Sequence, residues 1–182
     1  FENGESVHKD ILLFIGILLI RNLIAGYSEI INGNMDVLMN AVFSVFGIVS
    51  VFLAVVMYFC EEYGWRVYLQ DKLQRRFGKR AGVVILGILW CCWHLLWWSA
   101  NTGINSILEV FFVGLPVAIG CSAFFGYIYI KTKNVWLCAI GHGIYNTMGT
   151  GMPDNNMYNI MTVVTGIVLC LFLFKKEYRA DV

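Results

Sequence analysis

Long apolar runs, separated by short polar connections, dominate the hydropathy pattern of this chain. A helix of about 20 apolar residues crosses the ~30 Å hydrocarbon core of a bilayer, and the pattern predicts six such spans. Arg21 and Asn22 interrupt the first span, which is the weakest. The predicted spans cover residues 11–28, 37–60, 82–100, 106–130, 135–152 and 158–174. The predicted fold is therefore an all-α, polytopic bundle of transmembrane helices.

Charged residues lie mostly on the connections, and basic residues appear on every second connection. Lys9 precedes the first span, a basic cluster follows the second, and Lys131 and Lys133 follow the fourth. The connections between these carry only acidic or uncharged residues. The last span is followed by Lys175, Lys176 and Arg179. Cytoplasmic loops are enriched in Lys and Arg, so the pattern predicts a multi-pass protein with both termini in the cytoplasm.

Between the second and third predicted spans, apolar residues recur near helical spacing among basic ones. The apolar positions are Val67, Leu69, Leu73 and Phe77, and the basic ones are Lys72, Arg75, Arg76, Lys79 and Arg80. This pattern predicts a basic amphipathic helix over residues 67–80 at the cytoplasmic interface. It favours a topology anchor that binds anionic lipid, at about 1 kcal/mol per basic residue. A role in docking the substrate is the alternative.

The composition agrees with a membrane protein. Hydrophobic residues make up 59% of the 182 residues and charged residues only 14%, whereas soluble domains carry about 25% charged residues. The six cysteines lie in apolar runs without metal-binding or CxxC spacing, so we expect them to act as small hydrophobes. Membrane lipid is the expected environment, and no nucleic-acid partner is expected. The chain begins with Phe1 rather than Met, which indicates a fragment or a processed chain.

Two adjacent carboxylates, Glu61 and Glu62, end the second predicted span. A charge near the bilayer centre costs roughly 2.5–3.5 kcal/mol, so such a residue faces a protein interior or a water-filled cavity. On an α-helix Glu62 and Arg66 lie four apart and can pair along one face, which leaves Glu61 for another partner. Ionisable residues inside a membrane are functional candidates by default, so we place the active site here.

Two histidines lie in later predicted spans. His94 ends the aromatic run Trp90–His94 in the third span, where Trp90 and Trp93 either wall a pocket or simply pack. His142 and Asn146, four apart in the fifth span, share one helix face. Taken alone, His94 also fits a hydrogen-bonded core residue, and the second pair also fits a contact between helices.

Together these groups have the residue types of a hydrolytic site. A carboxylate with a neighbouring imidazole, such as Glu61 with His94, can deprotonate a water as general base. An imidazole with an amide, such as His142 with Asn146, can donate hydrogen bonds to the oxyanion of acyl transfer. Counted along the spans, all four lie in the cytoplasmic half of the membrane. The reaction class that this indicates is hydrolysis of a peptide bond within the membrane.

Three motifs in this order resemble those of the CAAX protease and bacteriocin-processing family. They are Glu61-Glu62-x-x-x-Arg66, Trp90-x-x-x-His94 and His142-x-x-x-Asn146, and together they cover residues 61–146. The family comprises prenyl proteases of the Ras-converting type and their prokaryotic Abi relatives. The runs EEYGWRVYLQDKLQRRF and LWCCWHL resemble the bacterial branch. One departure is visible, since the family's second motif usually has Phe where this chain has Trp90.

The resemblance implies a glutamate-type intramembrane endopeptidase that acts on a membrane-associated peptide or protein. It implies that Glu61 and His94 activate the water. It implies that His142 and Asn146 form the oxyanion site, whereas Glu62 and Arg66 support the geometry. A single protease domain over residues 1–182, located in a bacterial plasma membrane and working without a cofactor, completes this expectation.

Two alternatives stay open at this point. Two histidines and a carboxylate can also ligate zinc with an open fourth position, so a zinc-dependent version of the same protease is one of them. The other is a non-catalytic membrane protein that gives immunity to a bacteriocin or serves as a scaffold. The substrates that remain open include prenylated termini, peptide pheromones and bacteriocin leaders, whose cleavage would be a step of peptide maturation.

Overall fold

A computed structural model describes residues 2–36, 39, 51, 54–102, 110–150, 152 and 156–179. Every regular element among these residues is helical. The α-helices are α1 (Glu2–Ile31), α2 (54–62), α3 (Asp71–Phe77), α4 (Lys79–Thr102), α5 (Leu115–Thr132), α6 (Val135–Gly149) and α7 (Asn156–Leu169). Two π-helices, π1 (Tyr63–Gln70) and π2 (Val110–Gly114), and the 3₁₀ turns Cys170–Phe174 and Lys176–Tyr178 complete the described elements. The predicted all-α class is confirmed for this part of the chain.

Three described stretches are long and apolar enough to cross a membrane. They are Ser6–Tyr27, Phe111–Thr132 and Asn156–Phe174, and they coincide with the first, fourth and sixth predicted spans. The second predicted span, 37–60, lies largely outside the described residues. The third falls within α4, and α6 covers residues 135–149 of the fifth. A membrane protein is thereby supported, and the total of six spans and the cytoplasmic termini stay predictions.

The residues group into two compact units. The first unit contains residues 1–62 and 134–161, and the second contains residues 63–133 and 162–182. The first unit thus holds α1, α2, α6 and the start of α7, and the second holds the remaining elements. The single domain expected over residues 1–182 stays a prediction.

In the first unit, α1 packs one face against protein and turns the other away from it. The buried positions recur at helical spacing and are Val7, Asp10, Phe14, Leu18, Arg21, Asn22 and Ala25. The opposite face is apolar and exposed, with Leu12, Leu13, Leu19, Ile20, Leu23 and Ile24. An exposed apolar face suits contact with lipid, since lipid tails are as apolar as leucine. Arg21 and Asn22 therefore lie on the protein-facing side of the span that they interrupt.

Helix α6 of the first unit depends on a close approach at one glycine. A Cβ at Gly143 would lie 2.5 Å from Cγ1 of Val51 and 3.1 Å from the ring of Tyr58. Any larger residue there would push the chain that leads into α2 away from α6. The helix itself begins with a side-chain cap, because Asn134 Oδ1 accepts a hydrogen bond from the Trp136 backbone N–H at 3.0 Å.

In the second unit, α5 lies at the centre, and its residues 120–128 are all buried. The backbones of α5 and α7 approach closely at two glycines, because a Cβ at Gly120 would collide with the backbone of Gly166. Small residues let membrane helices approach this closely. The C-terminal turn is tied to α5 by Tyr178, whose hydroxyl donates to the Ala123 carbonyl at 2.7 Å.

The basic segment 67–80 is helical but is not one amphipathic α-helix. Its first part belongs to π1, α3 covers Asp71–Phe77, and the chain then breaks at Gly78. Gly78 adopts a positive φ of 86°, which glycine tolerates far better than other residues. The basic residues Lys72, Arg75, Arg76 and Arg80 are exposed as expected. The location of this segment at a membrane interface stays a prediction.

Candidate active site

A buried carboxylate–imidazole pair lies in the first unit. Glu62, near the end of α2, is 0% exposed, and its Oε1 lies 3.0 Å from Nδ1 of His142 on α6. The two residues are 80 positions apart in the sequence. The ring of Tyr58, one helical turn before Glu62, lies with its centroid 5.0 Å from that of His142. This aromatic contact and the buried carboxylate together fix the orientation of the imidazole.

The contact through Nδ1 decides what the other nitrogen of His142 can do. An ionised carboxylate only accepts hydrogen bonds, so Nδ1 carries a hydrogen when it bonds to Glu62. A neutral His142 would then present Nε2 as an acceptor, whereas a protonated ring presents Nε2–H as a donor. The contact with Glu62 therefore leaves Nε2 as the ring nitrogen of His142 that can meet a substrate.

The other two predicted polar residues of this unit are more accessible. Glu61 precedes Glu62 on α2, so its side chain points about 100° away, and it is half-buried. Asn146 lies one turn after His142 on α6 and is exposed. As the sequence predicts, His142 and Asn146 lie on the same helix, α6. Water can thus reach Glu61 and Asn146 more readily than it reaches Glu62.

In the second unit, aromatic rings surround a buried arginine. Arg66 on π1 is 0% exposed, and its guanidinium carbon lies 5.4 Å from the ring centroid of Trp90 and 5.8 Å from that of Phe125. Its Nη1 donates long hydrogen bonds to Gln70 Oε1 at 3.5 Å and to the Ser122 carbonyl at 3.4 Å. Arg66 therefore helps to hold π1 against α4 and α5.

His94 lies on α4 near this cluster. Its Nδ1 is 3.0 Å from the carbonyl oxygen of Trp90, one turn earlier, and the two ring centroids are 5.8 Å apart. A carbonyl only accepts, so Nδ1 donates this bond. A neutral His94 then presents Nε2 as an acceptor. His94 thus presents an acceptor nitrogen, whereas a protonated His142 would present a donor.

The family of the chain follows from a comparison with family models. The model described as Type II CAAX prenyl endopeptidase Rce1-like matches residues 41–148, which is well over half of the chain. The chain belongs to this family. Searches of curated proteins and of solved structures found no match. The Rce1-like family supports a CAAX-type intramembrane protease in general terms, and the matched range contains all three motifs.

The structure distributes the Rce1-like motif residues over the two units. Glu61, Glu62, His142 and Asn146 belong to the first unit, and Arg66, Trp90, Trp93 and His94 belong to the second. Within the units it brings Glu62 to His142, and Arg66 to Trp90. The pairing of Glu61 with His94 and that of Glu62 with Arg66 join residues of different units and stay predictions. The role of each residue stays a prediction too.

The two pocket candidates of the second motif differ in exposure. Trp90 is buried and contacts Trp65, Phe125 and His94 through its ring. Trp93 exposes 60% of its surface. Trp90 therefore packs in the core of its unit, whereas Trp93 is open to whatever surrounds the protein.

A metal site would need several ligands close together. Among the described residues, no three His, Cys, Asp or Glu side chains lie close enough to hold a metal ion. The expectation that the protein works without a cofactor stays a prediction.

Sequence reasoning missed one buried polar group of the first unit. Arg21 appeared only as an interruption of the first predicted span, yet its side chain is 1% exposed and lies against α6. The signal was available, since an ionisable residue within a membrane span is a functional candidate by default. Gln70, whose amide donates to the Gly126 carbonyl at 3.4 Å, was missed because its partner is distant in sequence.

Proposed function

We propose that this protein is a multi-pass intramembrane endopeptidase of the glutamate type. Glu61 and His94 activate a water, and His142 with Asn146 binds the oxyanion. The family assignment supports the activity, and the motif order supports the choice of residues. The observation that carries the proposal is the buried contact of 3.0 Å between Glu62 and His142. That contact turns Nδ1 of the second histidine toward Glu62, so a protonated ring would offer Nε2–H to an oxyanion.

The exposure of the two glutamates separates their roles. Glu62 is fully buried, and its carboxylate already accepts from His142. A general base must be within hydrogen-bond reach of the water that it deprotonates. Glu61, which is half-buried, meets this requirement better than Glu62. Glu61 is therefore the base, and Glu62 is a positioning residue that acts through His142.

The proposed reaction then runs as follows. The water oxygen attacks the peptide carbonyl carbon while its proton passes to Glu61, assisted by the acceptor nitrogen of His94. The carbonyl oxygen becomes an oxyanion, which accepts hydrogen bonds from His142 Nε2–H and the Asn146 amide. The tetrahedral intermediate collapses as the C–N bond breaks, and the proton on Glu61 passes to the leaving amine. One oxyanion donor is worth about 2.7–4 kcal/mol in the transition state.

The substrate that fits this proposal is a membrane-associated peptide or protein. The family description names a CAAX prenyl endopeptidase, so a farnesylated CAAX peptide in liposomes is the first substrate to test. Glu61→Ala should abolish its cleavage, because no other residue replaces the base. Glu29→Ala is the matched control, since the Glu29 carboxylate, among the hydrogen bonds described, accepts only from the exposed side chain of Asn34. Its activity should equal that of the wild type.

His142→Ala tests the oxyanion role in the same assay. Turnover should fall by about 10²–10³, and Glu62→Gln should fall less, since Gln still accepts from Nδ1 without compensating its charge. Extensive chelation should leave the wild-type rate unchanged. If chelation removed activity and zinc restored it, the zinc-dependent version would replace this mechanism. Wild-type activity in Glu61→Ala would end the glutamate assignment.

A further inference from the structure

Arg21 is a buried cation whose guanidinium end has no acceptor among the residues that the structure describes. It lies on α1 within the span Ser6–Tyr27 and is 1% exposed. Its Nε donates to Asn22 Oδ1 at 2.9 Å, and Asn22 in turn donates to the Met148 carbonyl at 2.6 Å. Across the described part of the chain, neither Nη1 nor Nη2 has a hydrogen-bond partner. Four N–H donors thus lie in the protein interior without an acceptor from the described residues.

Such an arrangement is unfavourable for the protein alone. Arginine keeps its charge at any biological pH, and a buried charge is strongly destabilising unless it is paired and hydrogen-bonded. The rings of Tyr145 and Tyr158 each lie with their centroids 5.4 Å from the guanidinium carbon. Their π-faces attract the cation, but they do not replace in-plane acceptors for Nη1 and Nη2. A bound anion would therefore stabilise the end of the guanidinium.

We propose that Arg21 is the recognition site for a carboxylate. Nε donates to Asn22, which leaves the two Nη nitrogens at the end of the guanidinium for a ligand. Two such nitrogens form a fork that binds the two oxygens of one carboxylate in a bidentate way. Gly149 lies beside the fork, and its lack of a side chain lets the Tyr158 hydroxyl approach closely. A Cβ there would lie 3.9 Å from Nη2 and 3.0 Å from the hydroxyl of Tyr158. The aromatic walls and the small residue suit a slim, planar anion.

The distance along α6 between His142 and the residues beside Arg21 indicates which carboxylate Arg21 would bind. His142 and Met148 are six residues apart on α6, which is about 9 Å along the helix axis. An extended peptide covers about 10 Å in three residues. A peptide whose scissile carbonyl lies at His142 can therefore place its C-terminal carboxylate at Arg21 when about three residues follow the cleaved bond. This step rests on the proposed function, and the carboxylate site itself does not.

The test uses small probes that the enzyme cannot consume. An apolar tripeptide with a free C-terminal carboxylate and the same tripeptide with a C-terminal carboxamide are titrated against the full chain in nanodiscs, with affinity and thermal stabilisation as readouts. The acid should bind on the order of 10- to 100-fold more tightly than the amide, as expected for hydrogen bonds to a charged group. Because no turnover is measured, the result is independent of the catalytic assignment.

Variants then assign the preference to Arg21. Arg21→Gln should remove the difference between acid and amide, and Arg21→Lys should retain only part of it, because lysine keeps the charge without the fork. Arg76→Gln, which removes an exposed arginine, is the matched control and should keep the full preference. In the cleavage assay, Arg21→Gln should raise KM for acid substrates while kcat for carboxamide substrates stays unchanged.

Three outcomes would overturn the proposal. Equal affinity of acid and amide for the wild type would show that no carboxylate is recognised. A loss of stability in Asp154→Asn equal to that in Arg21→Gln would assign the counterion to Asp154, which lies outside the described residues. Binding of oleate that the tripeptide acid does not displace would assign the site to a lipid carboxylate instead of a peptide terminus. Displacement of oleate by the tripeptide acid, but not by its amide, supports the peptide assignment.

Discussion

Each of the two units buries one arginine against two aromatic rings, and the two arginines differ in what accepts their hydrogen bonds. Arg66 in the second unit donates to an amide oxygen and to a backbone carbonyl, and it lies near Trp90 and Phe125. Arg21 in the first unit has the rings of Tyr145 and Tyr158 and, as far as the described residues go, donates only through Nε. The rings are comparable, so the acceptors make the difference between the two sites.

This difference separates a structural cation from one that awaits a ligand. At Arg66 the fold supplies two acceptors for Nη1, and the bond to the Ser122 carbonyl connects π1 to α5. At Arg21 the described residues supply two rings and one acceptor for Nε, and by our proposal a ligand supplies the remaining stabilisation. The same residue type in a similar aromatic setting thus serves packing in one unit and, by our proposal, recognition in the other.

The largest expected effect is at Arg66. Arg66→Met should lower the free energy of unfolding by about 3 kcal/mol, because it leaves Gln70 and the Ser122 carbonyl buried without their donor. The measurement is thermal or denaturant unfolding in detergent. Arg75→Met is the control, since Arg75 is exposed and pairs only with the exposed Asp71 at 2.7 Å among the described ion pairs. If Arg66→Met lowered the free energy of unfolding no more than the control does, Arg66 would not have the structural role that we assign to it.

Arg21→Met should have a smaller effect of the opposite sign. Without a ligand, removal of an uncompensated buried charge should leave stability unchanged or raise it by about 1 kcal/mol. The stabilisation that the tripeptide acid gives to the wild type should disappear. A loss of several kcal/mol in the absence of ligand would mean that the protein already compensates Arg21, and the two arginines would then be alike.

The smallest expected effect is at Gly149. Gly149→Ala places a methyl group beside Nη2 of Arg21 and against the Tyr158 hydroxyl. We expect the affinity for the tripeptide acid to fall a few-fold, roughly the effect of about 1 kcal/mol, while affinity for the amide changes little. Gly16→Ala is the matched control, because a Cβ there meets nothing within 4 Å. Equal losses for acid and amide would indicate a general disturbance of α6.

Sequence reasoning predicted the helical class, three spans that the structure supports and the family. It placed Arg21 in a span but did not use the spacing of residues 14, 18, 21, 22 and 25, which is enough to put Arg21 on the buried face. It treated the stretch after Glu62 as α-helical, whereas the chain becomes a π-helix at Tyr63. Local composition does not encode that change, because it depends on packing.

The contact between Glu62 and His142 could not be predicted from local pattern either. The two residues are 80 positions apart, and the i, i+4 rule directed attention to Arg66 as the partner of Glu62. What brings the carboxylate to the imidazole is the close approach at Gly143, which involves Val51 and Tyr58. A glycine in an apolar run gives no indication of which helix will approach it. Contacts of this kind follow only from the assembled fold.

The bond from Asn22 to Met148 has a consequence for the timing of biosynthesis. Its two residues are 126 positions apart, and a ribosome adds about 5–20 residues per second. Helix α1 therefore leaves the ribosome roughly 10 s before α6 exists to cover its polar face. During that interval a permanently charged Arg21 has no protein surface to bury it. We therefore expect α1 to pass from the insertion machinery into lipid more readily once α6 is present to cover Arg21.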